Sequence, residues 1–250
     1  MSIEKPEDLE RLREVGRIVG LTIQEVRRYV RPGVTTAELD EVGERFLTAH
    51  GAHAAPRQTY GFPGSIMISV NDEAVHSVPG ERRIQAGDLV KIDITAERDG
   101  YFADAAITVA VPPVENLQHN LIQAAQSAFR KGARAARAGN RVNDIGRAVE
   151  TEVRRRGFTV LRELSGHGVG RSIHEEPQVP NVYDPRSSRR LTEGLVLTIE
   201  PIIAAGASHV KVDGDRWTTR TVDGSLSAHY EHTLVITRDR PILVTQVAEG

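Results

Sequence analysis

The chain switches repeatedly between two hydrophobic periodicities. From residue 6 to residue 30, apolar positions recur at helical spacing at Leu9, Leu12, Val15, Ile18, Val19, Ile23 and Val26, which predicts a helix with one buried face. Asp8 and Glu10 sit near its start, where negative charge complements the helix dipole, and Pro32-Gly33 ends it. Thr35 followed by Glu38 has the form of a capping box and opens a second helix through about Ala49. Tyr60-Gly61-Phe62-Pro63-Gly64 reads as a loop. Ser65 to Val70 and Leu89 to Thr95 read as strands, Asp99-Gly100 as a hairpin turn, and Ala105 to Val111 as the returning strand. Helices follow at about 115–138 and 142–156. The chain then returns to strands and turns, with loops expected at 181–192 and 204–215.

The second half echoes the first. Arg31-Pro32-Gly33, Glu38-Leu39 and Gly51 match Arg137-Ala138-Gly139, Asp144-Ile145 and Gly157, all offset by 106 positions. Gly87-Asp88-Leu89-Val90-Lys91-Ile92-Asp93 matches Gly194-Leu195-Val196-Leu197-Thr198-Ile199-Glu200 at an offset of 107, and Asp104 matches Glu231, each before an apolar run. Short matches arise by chance between any two helix–strand units, but both strand matches place a carboxylate at the same point. A duplicated half brings Asp93 opposite Glu200 and Asp104 opposite Glu231 about a pseudo-twofold axis. The expectation is an α+β fold, one domain over residues 1–250, with halves of about 1–112 and 113–250.

Composition narrows the function classes. The chain has 250 residues, 39% hydrophobic and 26% charged, with a formal net charge of -2, which disfavours broad binding to nucleic acid or anionic membrane. It has no cysteine, so disulfides and thiolate metal sites are excluded. The N-terminal segment lacks an apolar signal core, and no stretch nears the roughly 18 apolar residues of a membrane span. A cytoplasmic location is the expectation.

Asp93, Asp104, Glu200 and Glu231 each sit in or beside an apolar strand, where an unpaired charge costs several kcal/mol. Any one of them reads equally well as a turn cap or an edge-strand charge; four together read poorly that way. Converging carboxylates need cations, and divalent metal is the simplest that fits, so the residues point to a metal-dependent hydrolase. The segment from Ser165 to Pro177 adds His167 within three glycines, Gly166, Gly168 and Gly170, which leave room for close backbone approach, with His174 seven positions on.

With these motifs in view, the chain resembles the type I methionine aminopeptidases, pita-bread metallopeptidases of family M24, along nearly its whole length. The first-half pattern appears as Tyr60-Gly61-Phe62-Pro63-Gly64-Ser65, Ser69-Val70-Asn71 and Val75-His76, and the second half as Gly166-His167-Gly168-Val169-Gly170-Arg171 and His174-Glu175-Glu176-Pro177. The resemblance implies a pseudo-twofold antiparallel sheet covered by helices, and removal of N-terminal methionine from nascent proteins when the next residue is small. It implies two divalent ions, bridged by Asp104 and Glu231, with Asp93 on one and His167 and Glu200 on the other. Paired metals clamp a carbonyl and activate a water. By the same resemblance Glu200 doubles as proton shuttle, His174 polarises the scissile carbonyl, His76 meets the scissile nitrogen, and Thr95 holds a metal-bound water. The oxygen-rich donor set suits manganese, ferrous iron or cobalt, with zinc a further candidate.

Phe62, Met67, Ile173 and Trp217 are the implied walls of a methionine pocket. Three positions depart from the family's usual pattern: Met67 stands where bacterial members often have cysteine, Ile173 where an aromatic residue is common, and Ser77 where glycine follows the first-half histidine. A longer Met67 and a smaller Ile173 offset one another in volume, so methionine specificity is expected to survive. The implied partner is the nascent polypeptide N-terminus near the ribosome, without specific nucleic acid or membrane, and the implied state is a monomer. Two other readings use the same features: a peptidase acting at X-Pro bonds, and a non-enzymatic binding module of the same fold.

Overall fold

The structure, a computed structural model, describes residues 1–206 and 208–248. The first part of the chain forms helices α1 (Pro6–Tyr29), α2 (Thr36–Ala49) and α3 (Ala55–Tyr60). Its strands are β1 (His53–Ala54), β2 (Met67–Val70), β3 (Glu73–Val75), β4 (Leu89–Arg98) and β5 (Tyr101–Ala110). Helices α4 (Asn116–Ala135) and α5 (Val142–Arg155) follow, then β6 (Thr159–Val160), β7 (Ser165–Gly168), β8 (Glu175–Pro180) and β9 (Val196–Ile199). The chain closes with β10 (Ile202–Ala204), β11 (Val210–Val212), β12 (Thr219–Thr221), β13 (Ser227–His229), β14 (Glu231–Val235) and β15 (Ile242–Leu243).

The main sheet is antiparallel and runs β1-β4-β5-β14-β9-β7-β8, with β2 also paired to β4 and β15 to β14. Smaller sheets, β13-β10-β6 and β11-β12-β3, flank it. Each half of the main sheet is covered by its own helix pair. The stripe read from the sequence packs inward from α1, through Leu12, Val15, Ile18, Val19, Ile23 and Val26, onto Val90, Ile92 and Ile94. Leu121, Phe129, Ile145, Val149 and Val153 of α4 and α5 bury against Leu197, Ile199 and Leu234. Each large aliphatic side chain buried this way contributes about 1.5–3 kcal/mol before entropy is counted.

The pseudo-twofold relation shows in matching backbone bonds. Gly33 and Gly139 adopt φ of 92° and 95°, a left-handed conformation open to glycine without a Cβ clash. Gly33 donates to Ile84 O and Ile84 returns a bond to Val34 O; Gly139 donates to Leu191 O and Leu191 returns one to Asn140 O. Gly87 and Gly194, which open the two carboxylate-bearing strands, share φ of 87° and 83°. The Thr35–Glu38 capping box forms as expected, with Glu38 N–H donating to Thr35 Oγ1 and Thr35 N–H to Glu38 Oε2.

Some boundaries differ from the sequence reading. Residues 204–215, expected as a loop, contain β11, whose three residues are too few and too exposed to show an alternation. Helix α3 spans Ala55–Tyr60 and takes in Tyr60, the first residue of the expected loop, with Pro56 in its first turn. Helix α4 stops at Ala135 because Ala136 turns away from helical geometry (ψ 71°).

Candidate active site

One row of the main sheet gathers the carboxylates. Asp93 on β4 and Glu231 on β14 both pair with Ala106 on β5, one from each side. Directly opposed residues in a sheet point to the same face, so both carboxylates stand over the small side chain of Ala106. The same row reaches Met67 on β2. Asp104, two residues before Ala106, shares that face, as does Thr95, its partner across the β4–β5 ladder. Period-two alternation therefore turns Ile92 and Ile94 toward the helices and Asp93 and Thr95 toward the site. Glu200 follows β9, whose register sets Ile199 opposite His232 and thus Glu200 beside Glu231.

His167 enters from β7. Its Nε2 lies 3.8 Å from Asp104 Oδ2 and 3.6 Å from Glu200 Oε1. The flanking glycines allow β7 this close: a Cβ on Gly166 would lie 2.6 Å from Thr198 O. Thr198 Oγ1 accepts from His167 N–H at 3.1 Å and donates to Glu200 Oε1 at 2.9 Å, fixing two of the five residues from one hydroxyl. Thr95 Oγ1 donates to Asp104 Oδ2 at 2.8 Å.

The four carboxylates are all buried. Among the described residues, the only basic groups within 4.0 Å of them are the imidazoles of His167 and His229. Burial, followed by repulsion from Asp104 and Glu200, pushes the Asp93 carboxyl well above the carboxylate range. Burial and Asp104 raise Glu231 similarly, and raise Glu200 to about 8. Burial also raises Asp104, against the pull of the Thr95 hydroxyl. Oδ1 of Asp104 and Oε1 of Glu231 are buried with no hydrogen-bond partner among the described residues. Orphaned carboxyl oxygens gathered in one buried cluster are what a bound cation would satisfy. Asp104, His167 and Glu231 offer ligand atoms within 4.8 Å of one another, and so do Asp93, His229 and Glu231. The residues present thus fit divalent metal by geometry, burial and donor chemistry.

The cluster floors a cavity of about 760 Å³ whose walls include Met67, Ile173 and Trp217. Phe62 stands behind this wall, fully buried, with its ring edge-on to Trp217 at 5.3 Å between centroids. Asp215 fixes the indole's backbone by accepting from Trp217 and Thr218 N–H at 2.8 and 2.9 Å. Ser77, buried, receives no partner for its hydroxyl among the described residues. His76 and His174 both line the cavity. His76 holds φ at 59°, a conformation rare and strained for a side-chain-bearing residue and typical of functional positions. Desolvation, then the neighbouring His174 and His167, pulls its imidazole below the ordinary pKa. Desolvation and His167 do the same to His174, so both rings are neutral donors and acceptors near pH 7. The His167 and His174 rings lie 4.2 Å apart.

The structure therefore brings Asp93, Asp104, His167, Glu200, Glu231, His76 and His174 around one cavity. Sequence reading missed three participants. Tyr60 lines the cavity and its hydroxyl lies 2.6 Å from His174 Nδ1. Thr198 bridges His167 and Glu200. His229, on β13, faces Asp93, Glu200 and Glu231. The last two sit two residues before a predicted carboxylate in or beside a strand, so the same alternation that placed Glu200 and Glu231 carries them to the site.

The sequence pattern of metallopeptidase family M24 matches residues 10–238. Methionine aminopeptidase 2 of Bacillus subtilis is 45% identical over 99% of this chain and 100% of its own length. Methionine aminopeptidase 1 of the same organism is 42% identical over 97% of this chain and 98% of its own. The crystal structure of methionine aminopeptidase from Thermotoga maritima superposes with a TM-score of 0.95, at 32% identity, covering 99% of this chain and 100% of that one. Prolidase from Pyrococcus furiosus, at 22% identity, shares the fold with a TM-score of 0.80, but only 66% of its chain is covered. No helix among the described residues is long and apolar enough to cross a membrane. Sequence, fold and an anionic, imidazole-bearing cavity agree: the chain belongs to metallopeptidase family M24, among its methionine aminopeptidases.

Proposed function

We propose that the chain is a single catalytic domain that removes the N-terminal methionine of nascent polypeptides whose second residue is small. The observation that carries this reading is the buried set of four carboxylates on one sheet face, lying against His167 and opening into a cavity with apolar walls. Asp93, Asp104, His167, Glu200 and Glu231 would hold two divalent ions, with cobalt, manganese, ferrous iron and zinc as candidates. When bound, the ions supply Lewis-acid polarisation of the scissile carbonyl and activation of water.

The chain's own residues do the rest. Met67, Ile173 and Trp217 enclose the methionine side chain, and Phe62 braces Trp217. His174 donates to the carbonyl oxygen as it gains negative charge. Glu200 accepts a proton from the attacking water and returns it toward the leaving amine, where His76 meets the scissile nitrogen. Thr95 holds Asp104 in orientation and is placed to bind a water. The nascent chain reaches the cavity at its open side, close to the ribosome in the cytoplasm, and the protein works as a monomer.

Comparing release from Met-Ala, Leu-Ala and Met-Val tripeptides tests the pocket. Methionine before alanine is turned over fastest; leucine turned over equally well contradicts the pocket assignment.

A further inference from the structure

His229 lies inside the carboxylate cluster, and none of the roles above uses it. Its backbone is pinned from both sides: His229 N–H donates to Thr108 Oγ1 at 2.9 Å, and that hydroxyl donates to His229 O at 2.8 Å. On the other edge the residue pairs with Ile202. The ring is 1% exposed and lies behind the carboxylates, away from the cavity walls that substrate would touch.

Both ring nitrogens are buried without a hydrogen-bond partner among the described residues. An unsatisfied buried polar atom costs about 1–3 kcal/mol, so two on one ring call for an explanation. The groups facing them are carboxylate oxygens with which the ring makes no hydrogen bond. Nε2 is 3.4 Å from Glu231 Oε2 and 4.0 Å from Glu200 Oε2, and Nδ1 is 4.0 Å from Asp93 Oδ2. Ligands that share a metal at about 2.0–2.2 Å stand about 3–4 Å apart. The cluster divides into two trios that share Glu231: Asp104 with His167, and Asp93 with His229.

We propose that His229 is a further ligand of the metal centre, binding the ion on the Asp93 side as His167 binds the ion on the Asp104 side. The proposal rests on the reading of the cluster as a metal site. It gives each ion one imidazole among carboxylates, where the five-residue set leaves one ion with oxygen ligands alone. A nitrogen donor there favours cobalt and zinc over manganese. The competing role is orientation, with Nε2–H directed at Glu231 from behind.

X-ray absorption of the full chain loaded with two equivalents of cobalt(II) counts imidazoles directly, without any substitution. The expected result is an average of about one imidazole per cobalt; about half of one overturns the proposal. Calorimetric cobalt titration of His229→Gln supplies the second arm, since the amide keeps a donor toward Glu231 but removes the imidazole. One of the two binding events should be lost or weaken by well over a hundredfold, beyond the roughly 10–100-fold that losing an orienting partner costs, with folding checked by circular dichroism. Wild-type affinity for both ions in that variant leaves only the orienting role and overturns the proposal. Wild-type protein that binds no cobalt refutes the metal reading itself, and this inference with it.

Discussion

The Tyr60 hydroxyl lies 2.6 Å from Nδ1 of His174, across 114 positions of sequence. With Tyr60 donating, Nδ1 is the acceptor and Nε2 carries the proton, which makes the far side of the ring a donor toward a carbonyl in the cavity. Tyr60→Phe should lower kcat by about fivefold to tenfold, the rate equivalent of one hydrogen bond of ~1 kcal/mol. KM should change little, because the bond sets the tautomer and not the pocket. Steady-state kinetics on Met-Ala-Ser reads both; a KM rise at constant kcat would show that Tyr60 only lines the entrance.

The first helix is tied to the turn that carries His174. Asp8 Oδ1 accepts from Tyr101 Oη at 2.7 Å and from Arg171 Nη2 at 2.8 Å, while Oδ2 accepts from Glu4 and Lys5 N–H. The Arg171 guanidinium also lies 3.7 Å from the centroid of the Tyr101 ring. The Tyr101 hydrogen bond, aided by the backbone donors, holds the Asp8 carboxyl at about 2, against 3.8 ordinarily. A depressed folded-state pKa means stabilisation that is present above about pH 4 and lost as pH falls through about 2. Asp8→Asn should melt below wild type at pH 7, and the gap should close between pH 4 and 2. A gap of the same size at pH 7 and pH 2.5 contradicts this assignment.

Ala106 separates Asp93 from Glu231 within one sheet row. Ala106→Val would force branched methyl groups between the two carboxylates. Overpacking of this kind costs about 1–3 kcal/mol, and metal affinity should fall as well. Ala105 is equally buried but faces the helices. Ala105→Val should therefore lose comparable stability and keep its metal affinity. Calorimetric titration beside thermal melting separates the two; equal affinity loss in both variants would make the effect a general loosening of the sheet.

Much of this architecture is legible in the sequence. The helical stripe of α1, the capping box at Thr35 and the strand alternation through Asp93 all follow from local chemistry that tertiary contacts leave undisturbed. The paired glycines Gly33 and Gly139, or Gly87 and Gly194, exposed the internal duplication because each needs a left-handed backbone at the same point of its half. What stayed hidden depends on long-range placement. Tyr60 looks like an ordinary loop aromatic until the turn after Gly170 brings His174 against it. His229 carries no motif of its own in sequence and becomes notable only when Asp93, from a distant strand, faces it. The strain at His76 is a backbone property that no residue type announces.

If the buried carboxylates hold the metal that drives methionine release, activity must come and go with metal. The experiment strips the protein of metal and measures free methionine from Met-Ala-Ser during titration with manganese, cobalt, ferrous iron and zinc, beside an Asp104→Ala control. Stripped protein should release no methionine, added metal should restore release, and the control should stay inactive. Undiminished release by the stripped protein, or by Asp104→Ala, would contradict the metal assignment.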